Sequence, residues 1–239
     1  MRKRLFIALL PVAVLLFSSC GAWYFAKPAD VPLLEGAGDL HVTASMSTID
    51  ILPAAFNGAV SYGVTDHIGA QVFGAWYNDD EYYAHVAGGY YTNLGDNFVL
   101  EAFLGAGKGS AKNAPARNAD NFDQFNGHAV WFNYQQYFGQ LDLGWHNLAF
   151  LNTDFGVGLR GGVMPYTLNV KDKEGQAIYD NEEGVLPLFE PLVFLRFGFP
   201  ALKFQLSLGY TMLDLYRETL HNQVNTSPFS FSAGISLNF

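Results

Sequence analysis

The sequence predicts an all-β chain: a ten-stranded antiparallel transmembrane β-barrel with short turns at one end and long loops at the other. Three observations carry that expectation. Apolar and small or polar side chains alternate with a period of two in ten segments. The connections between them are brief at one end and mostly extended at the other. Aromatic residues make up 16% of the chain against 15% charged residues, with 21 Phe, 13 Tyr and 25 Gly. A water-soluble protein hides that many rings only in a large core, whereas a membrane barrel sets them on its outer face and interfacial girdles.

Residues 1–19 lie outside the fold. Arg2, Lys3 and Arg4 form a positive head, and Leu5 to Phe17 is apolar except for Pro11. That run is too short to cross a bilayer as a helix, which takes about 20 apolar residues. It has the proportions of a secretory signal peptide. Phe17-Ser18-Ser19-Cys20 follows, with small residues before the single cysteine. The segment resembles the lipobox of bacterial lipoproteins, in which cleavage leaves a diacylated N-terminal cysteine. Phe17 replaces the commoner Leu, as in the looser lipoboxes of Bacteroidota. The resemblance implies lipid attachment at Cys20 and a tether over 20–37, where two prolines and no clear period occur. The barrel then spans 38–239.

Leu40, Val42, Ala44 and Met46 oppose His41, Thr43, Ser45 and Ser47 on the first strand. Weaker alternation covers 54–64, 67–77 and 82–93. Phe98, Leu100, Ala102 and Leu104 then oppose Val99, Glu101, Phe103 and Gly105. The run 127–146 is long for one crossing. In 154–163, Phe155, Val157 and Leu159 oppose Asp154, Gly158 and Arg160; in 190–199, Val193, Leu195 and Phe197 oppose Glu190, Phe194 and Arg196. The segments 202–212 and 229–239 alternate at every position, with Lys, Gln, Ser, Gly, Thr or Asn between the apolar residues. Each is about the length that a tilted strand needs to cross hydrocarbon.

Long connections are expected at 108–126, 169–187 and 214–227, and short ones at 65–66, 94–96, 147–152 and 200–201. An even strand count returns the barrel's two ends to the short-turn side. The terminal Phe239 on an alternating strand resembles the C-terminal aromatic signal of outer-membrane barrels. The whole segment after Cys20 is similar in pattern to small bacterial outer-membrane barrels, which implies outer-membrane localisation with the N-terminus and lipid on the periplasmic side. A soluble periplasmic β-sandwich also alternates, but loop asymmetry and aromatic content favour the barrel.

Removal of residues 1–19 leaves 10 basic and 22 acidic side chains, a net charge of −12. Such a chain does not seek nucleic acid, whose binding rests on Lys and Arg neutralising phosphates. Inward parity falls on His41, His85, Glu101, Asp142, His146, Asp154, Arg160, Glu190, Arg196 and Lys203. Charges in a narrow lumen must pair, because isolated burial is costly. Glu101, Asp142, Asp154, Arg160, Glu190 and Arg196 form the expected charge network, with Glu101 and Glu190 as counter-ions to the two arginines. Inward glycines either open space or admit bulky neighbours such as Phe103 and Phe194.

The aromatic residues Trp76, Tyr77, Tyr82, Tyr83, Tyr90, Tyr91, Trp131, Tyr134, Tyr137 and Trp145 read as interfacial belts. Trp131, Phe132 and Tyr134 offer a docking surface if 127–146 projects above the membrane. Acids at 79–81, 120, 123, 172, 180, 182 and 183 suit hard cations, but no EF-hand spacing occurs, and no metal or other cofactor is expected. Ten strands is also the count of the omptin proteases. His128 and His221, with Asp123 and Asp214 nearby, sit near outer strand ends, but that family's paired acids and His-Asp pair are absent. No G-x-S-x-G or H-E-x-x-H motif occurs either. No catalytic residue is assigned. The expected role is a non-catalytic accessory or scaffold subunit contacting outer-membrane lipid and a protein partner. The alternatives are a narrow pore with a charged constriction and an outer-membrane hydrolase.

Overall fold

In the computed structural model, residues 24–25, 29–49, 52–78, 81–113, 129–148, 152–172, 174–213, 226–227 and 229–239 are described. The barrel strands are β1 Leu40–Ile49, β2 Leu52–Gly63, β3 Ile68–Asn78, β4 Glu81–Asn93, β5 Phe98–Asn113 and β6 Ala129–Leu148. They continue with β7 Thr153–Lys171, β8 Ala177–Phe199, β9 Leu202–Tyr210 extended by Met212–Leu213, and β10 Phe229–Asn238. Each pairs antiparallel with the next, and β10 pairs with both β9 and β1, so the sheet closes. Closure leaves no unpaired edge in hydrocarbon, where an orphaned backbone group costs several kcal/mol. The chain is a ten-stranded antiparallel transmembrane β-barrel.

Alternation along the strands becomes inside and outside. On β5, Leu104 is 75% exposed while its neighbour Phe103 is buried. The outward apolar run covers Phe98–Ala106, Tyr137–Trp145, Phe155–Val163, Leu202–Met212 and Phe229–Phe239. Register keeps these runs together: Phe98 faces Trp145 and Trp145 faces Phe155 at one margin, and Ala106 faces Tyr137 and Tyr137 faces Val163 at the other. Nine residues, as in 98–106, at about 3.3 Å per residue and tilted by ~40°, give a band about 23 Å tall. Immediately beyond it the outward residues turn polar, with Lys108 opposite Gln135. Trp76, Tyr82, Tyr90, Tyr137 and Trp145 stand outward, and Tyr77 is exposed at the end of β3, where the register with β4 shifts. Tyr83, Tyr91 and Tyr134, expected in the same belts, are buried inside instead. The reason is parity: adjacent tyrosines such as Tyr82-Tyr83 cannot both face lipid.

Four strands outrun the band. β5, β6, β7 and β8 extend past it by several residues, so most of 169–187 is strand rather than a long loop, and the β7–β8 connection is only 172–176. The polar sequence 180–184 lacks an apolar face because it stands outside the band, and that hid its strand character. Phe132 and Tyr134 on this projection are buried within it, so they offer no exposed docking face; Trp131 is half-buried. Asp172 closes the tip by accepting the Gln176 amide at 2.7 Å, and Asp180 accepts from Asn181.

The N-terminal segment departs most from expectation. Ala29 to Leu34, within the segment expected as a tether, are buried among the lumen side chains. Glu35 and Gly36 leave at the short-turn rim, where both amides donate to Asp39 and Gly38 donates to the Gly63 carbonyl. At the other end, Tyr24–Phe25 pair with Thr226–Ser227, which precede β10 on the long-loop side. Cys20, the signal segment, His128, His221, Asp79, Asp80, Asp120, Asp123 and Asp214 lie outside the described residues.

Candidate functional site: the occupied lumen

Inside the barrel, residues 29–34 form a strap held by side chains from most of the wall. Leu33 adopts φ 56°, a left-handed conformation that a branched residue adopts only when its surroundings enforce it. Its effect is to aim two successive amides at one acceptor. Leu33 donates to Glu101 Oε2 at 3.1 Å and Leu34 donates to Oε1 at 2.8 Å. The Glu101 carboxyl thus accepts both donors of a small backbone nest.

Arg196 grips the preceding residues. Its Nη2 donates to the Val31 carbonyl, Nη1 to the Pro32 carbonyl at 3.5 Å, and Nε to Gln205 at 2.7 Å. The guanidinium stacks on Phe194 and lies 3.9 Å from Asp30. Its counter-ion therefore comes from the strap, not from Glu101. Asp30 also accepts from Thr43 and lies 3.8 Å from His41, while its carbonyl takes Gln71 at 3.2 Å and Gln140 at 3.0 Å.

Glycines give the strap room. A Cβ on Gly144 would meet Leu33 at 2.5 Å, one on Gly69 would meet Leu34 at 2.6 Å, and one on Gly158 would meet Val31 at 3.1 Å. Gly156 and Gly105 instead admit the Phe194 and Phe138 rings. The inward glycines thus do both things expected of them.

A second cluster lies beyond the strap. Arg160 donates Nε and Nη2 to Gln140 Oε1 at 3.1 and 2.8 Å, stacks on Phe138 and pairs with Glu190 at 3.6 Å; Thr211 donates to Glu190. Gln140 passes a hydrogen bond on to Asp142, which lies opposite Glu101 in the ladder. Near the short-turn rim, Lys203 pairs with Asp154 at 2.6 Å, and Asp154 also accepts the Asn147 amide. All ten inward titratable residues named from the sequence are buried. Towards the long-loop end the filling becomes apolar. Phe73, Tyr83, Phe132, Tyr134, Met164, Tyr166, Leu168, Val170 and Leu186 form one cluster, with Tyr83 stacked on Tyr134 and Phe132 against Tyr166.

Sequence reasoning missed the strap, Asp30 above all, together with Gln71, Gln140 and Gln205. Inward Gln71 and Gln140 were its readable sign, because each amide group has a second hydrogen to donate beyond its wall partner, and both reach the Asp30 carbonyl. His85 is sandwiched by Phe73 and Phe138 and touches Gln71 at 3.4 Å, which is a packing role. Among the described residues no group of three or more His, Cys, Asp or Glu is placed to hold a metal ion.

No family model matches the chain, and no curated protein matches it. Solved structures do resemble it remotely. The attachment invasion locus protein Ail of Yersinia pestis, in complex with the heparin analogue sucrose octasulfate, is 11% identical with a TM-score of 0.39, over 86% of this chain and 100% of that one. The monoaromatic hydrocarbon channel TodX is 11% identical with a TM-score of 0.31, over 84% and 65%. The outer-membrane protein OprD of Pseudomonas aeruginosa is 15% identical with a TM-score of 0.24, over 86% and 66%. Likeness this remote says nothing of what the chain does.

Proposed function

We propose that the protein is a closed, non-catalytic outer-membrane barrel, exported by residues 1–19, lipidated on Cys20, and acting as an accessory or scaffold subunit for a neighbouring protein. One observation carries this reading. The space a solute would use is taken by the strap, the charge network and the aromatic cluster. The apolar band supports the membrane assignment, since a continuous exposed apolar surface around a barrel has no place in water. The projection of β5–β8 supports a contact role. Its outer face carries Lys108, Asn133, Gln135, Thr167 and Glu183 around a shallow hollow of about 530 Å³.

Purification from native membranes in mild detergent tests the scaffold role. A discrete outer-membrane protein retained with the barrel is expected; a lone monomer with nothing co-purifying overturns it. Planar-bilayer recording tests the closed lumen. No unitary steps are expected, whereas steps that change on Arg160→Ala or Arg196→Ala replace the scaffold by a charged pore.

A further inference from the structure

We infer that the N-terminal segment threads the barrel from end to end, so that the residues before Tyr24 emerge at the long-loop mouth. Four observations converge on it. Gly36 sits at the short-turn rim, where a Cβ on Gly63 would strike its carbonyl at 2.1 Å. Moving back along the chain, Leu33 and Leu34 lie against Gly144 and Gly69, and Ala29 and Asp30 lie with Thr43, Ser45, Asn57 and Phe73, further from that rim. Tyr24–Phe25 then pair with Thr226–Ser227, at the end of β10 where Phe229 faces Tyr210. The sense of the pairing agrees as well. Tyr24–Phe25 run parallel to Thr226–Ser227, and that stretch leads into β10 as it descends to the short-turn rim. The N-terminal segment is therefore heading down the tube at Tyr24 and leaving it at Gly36.

The strap's grips suit a permanent passage. Arg196 and Glu101 hold main-chain atoms of Val31 to Leu34, and Asp30 supplies a buried counter-charge. The consequence concerns topology. Cys20 lies four residues before Tyr24, and an extended chain covers at most about 3.6 Å per residue, so threading keeps Cys20 within ~14 Å of Tyr24, on the long-loop side. Even strand count alone puts the lipid on the opposite side. Resting on the proposed membrane placement with the long loops outside, threading puts the lipidated cysteine at the cell surface, in the outer leaflet.

The test uses the full chain in intact cells with one epitope at a time: between Ala22 and Trp23, within 114–128, or within the turn 95–97. Each variant is first checked for a folded barrel by heat-modifiable migration on gels. The N-terminal epitope is expected to be reached by antibody under the same conditions as the 114–128 epitope. If it is reached only together with the 95–97 epitope, after the outer membrane is permeabilised, threading is wrong. The proposed orientation of the barrel fails separately, if the 95–97 epitope is the one exposed on intact cells. Should the epitope between Ala22 and Trp23 prevent assembly, paired cysteines replace it. Tyr24→Cys with Thr226→Cys is expected to form a disulfide, as neighbouring strand positions permit. Tyr24→Cys bonding instead to Asn93→Cys at the short-turn rim overturns the inference.

Discussion

Replacing Arg196 by methionine separates the strap from the wall that holds it. Methionine keeps much of the length and the contact with Phe194 but removes every donor. The Val31 and Pro32 carbonyls lose their Arg196 donors, and Asp30 loses the cation 3.9 Å away. Removing one partner of a buried pair costs about 3–5 kcal/mol. Gln205 also loses its hydrogen bond and stays in the wall, so part of that cost falls on the barrel. At 1.4 kcal/mol per factor of ten, the lower bound of ~3 kcal/mol multiplies strap opening about a hundredfold. Hydrogen exchange in lipid nanodiscs reads this directly at the Leu33 and Leu34 amides, which are protected only while they donate to Glu101. Those two amides should exchange about a hundred times faster in Arg196→Met. Amides in the β5–β6 ladder should stay slow, because local opening leaves the cooperative sheet intact. Strap protection within tenfold of the unmodified protein, in a barrel that remains folded, would refute the claim that Arg196 holds the strap.

Other substitutions probe the remaining layers. Lys203→Met should destabilise the barrel by ~3–5 kcal/mol in chemical unfolding by stranding Asp154, and adding Asp154→Leu should recover most of the loss. Leu104→Arg places a charge in the band and should cost about 2–4 kcal/mol in refolding into lipid; Asn133→Arg, beyond the band, should cost about 0–1 kcal/mol. Gly162→Ala puts a Cβ 2.1 Å from the Tyr137 carbonyl and should lose about 1–3 kcal/mol, whereas at Gly139 the nearest atom is 3.5 Å away and alanine should be neutral, both read by thermal unfolding on gels. Loosening the strap by Arg196→Met should not by itself open a conducting path, because the Phe73, Tyr83, Phe132, Tyr134 and Tyr166 layer still closes the tube; bilayer steps in that variant would contradict the layering.

The barrel was legible because lipid and lumen impose opposite demands on neighbouring residues. Where the wall meets lipid, as in Leu202–Met212 or Phe229–Phe239, the alternation is strict and the strand boundaries follow it closely. Where the wall leaves the band, as at 177–187, no apolar face is required, and the same strand reads as a loop. Parity also placed the lumen charges, since Glu101, Asp142, Asp154, Arg160, Glu190 and Arg196 all fall on one phase. Their partners were harder to read. Arg160 found the expected Glu190, but Arg196 found Asp30, because a strap with no strand period leaves no periodic trace. Its marks in the sequence were indirect: inward Gly69, Gly144 and Gly158 where bulk would otherwise fill space, and inward Gln71 and Gln140, whose amide groups have a hydrogen to spare beyond their wall partners. Residue type alone places Tyr83, Tyr91 and Tyr134 in the girdles, although their phase points inward.

The central claim, that the lumen is filled by the chain's own N-terminal strap, is tested most directly by nuclear Overhauser contacts in detergent micelles. Leu33 methyls packed on Gly144, and Leu34 methyls packed on Gly69, should give strong cross-peaks to the two glycine α-protons. Leu33 and Leu34 signals that are sharp and contact only water or detergent would contradict the account.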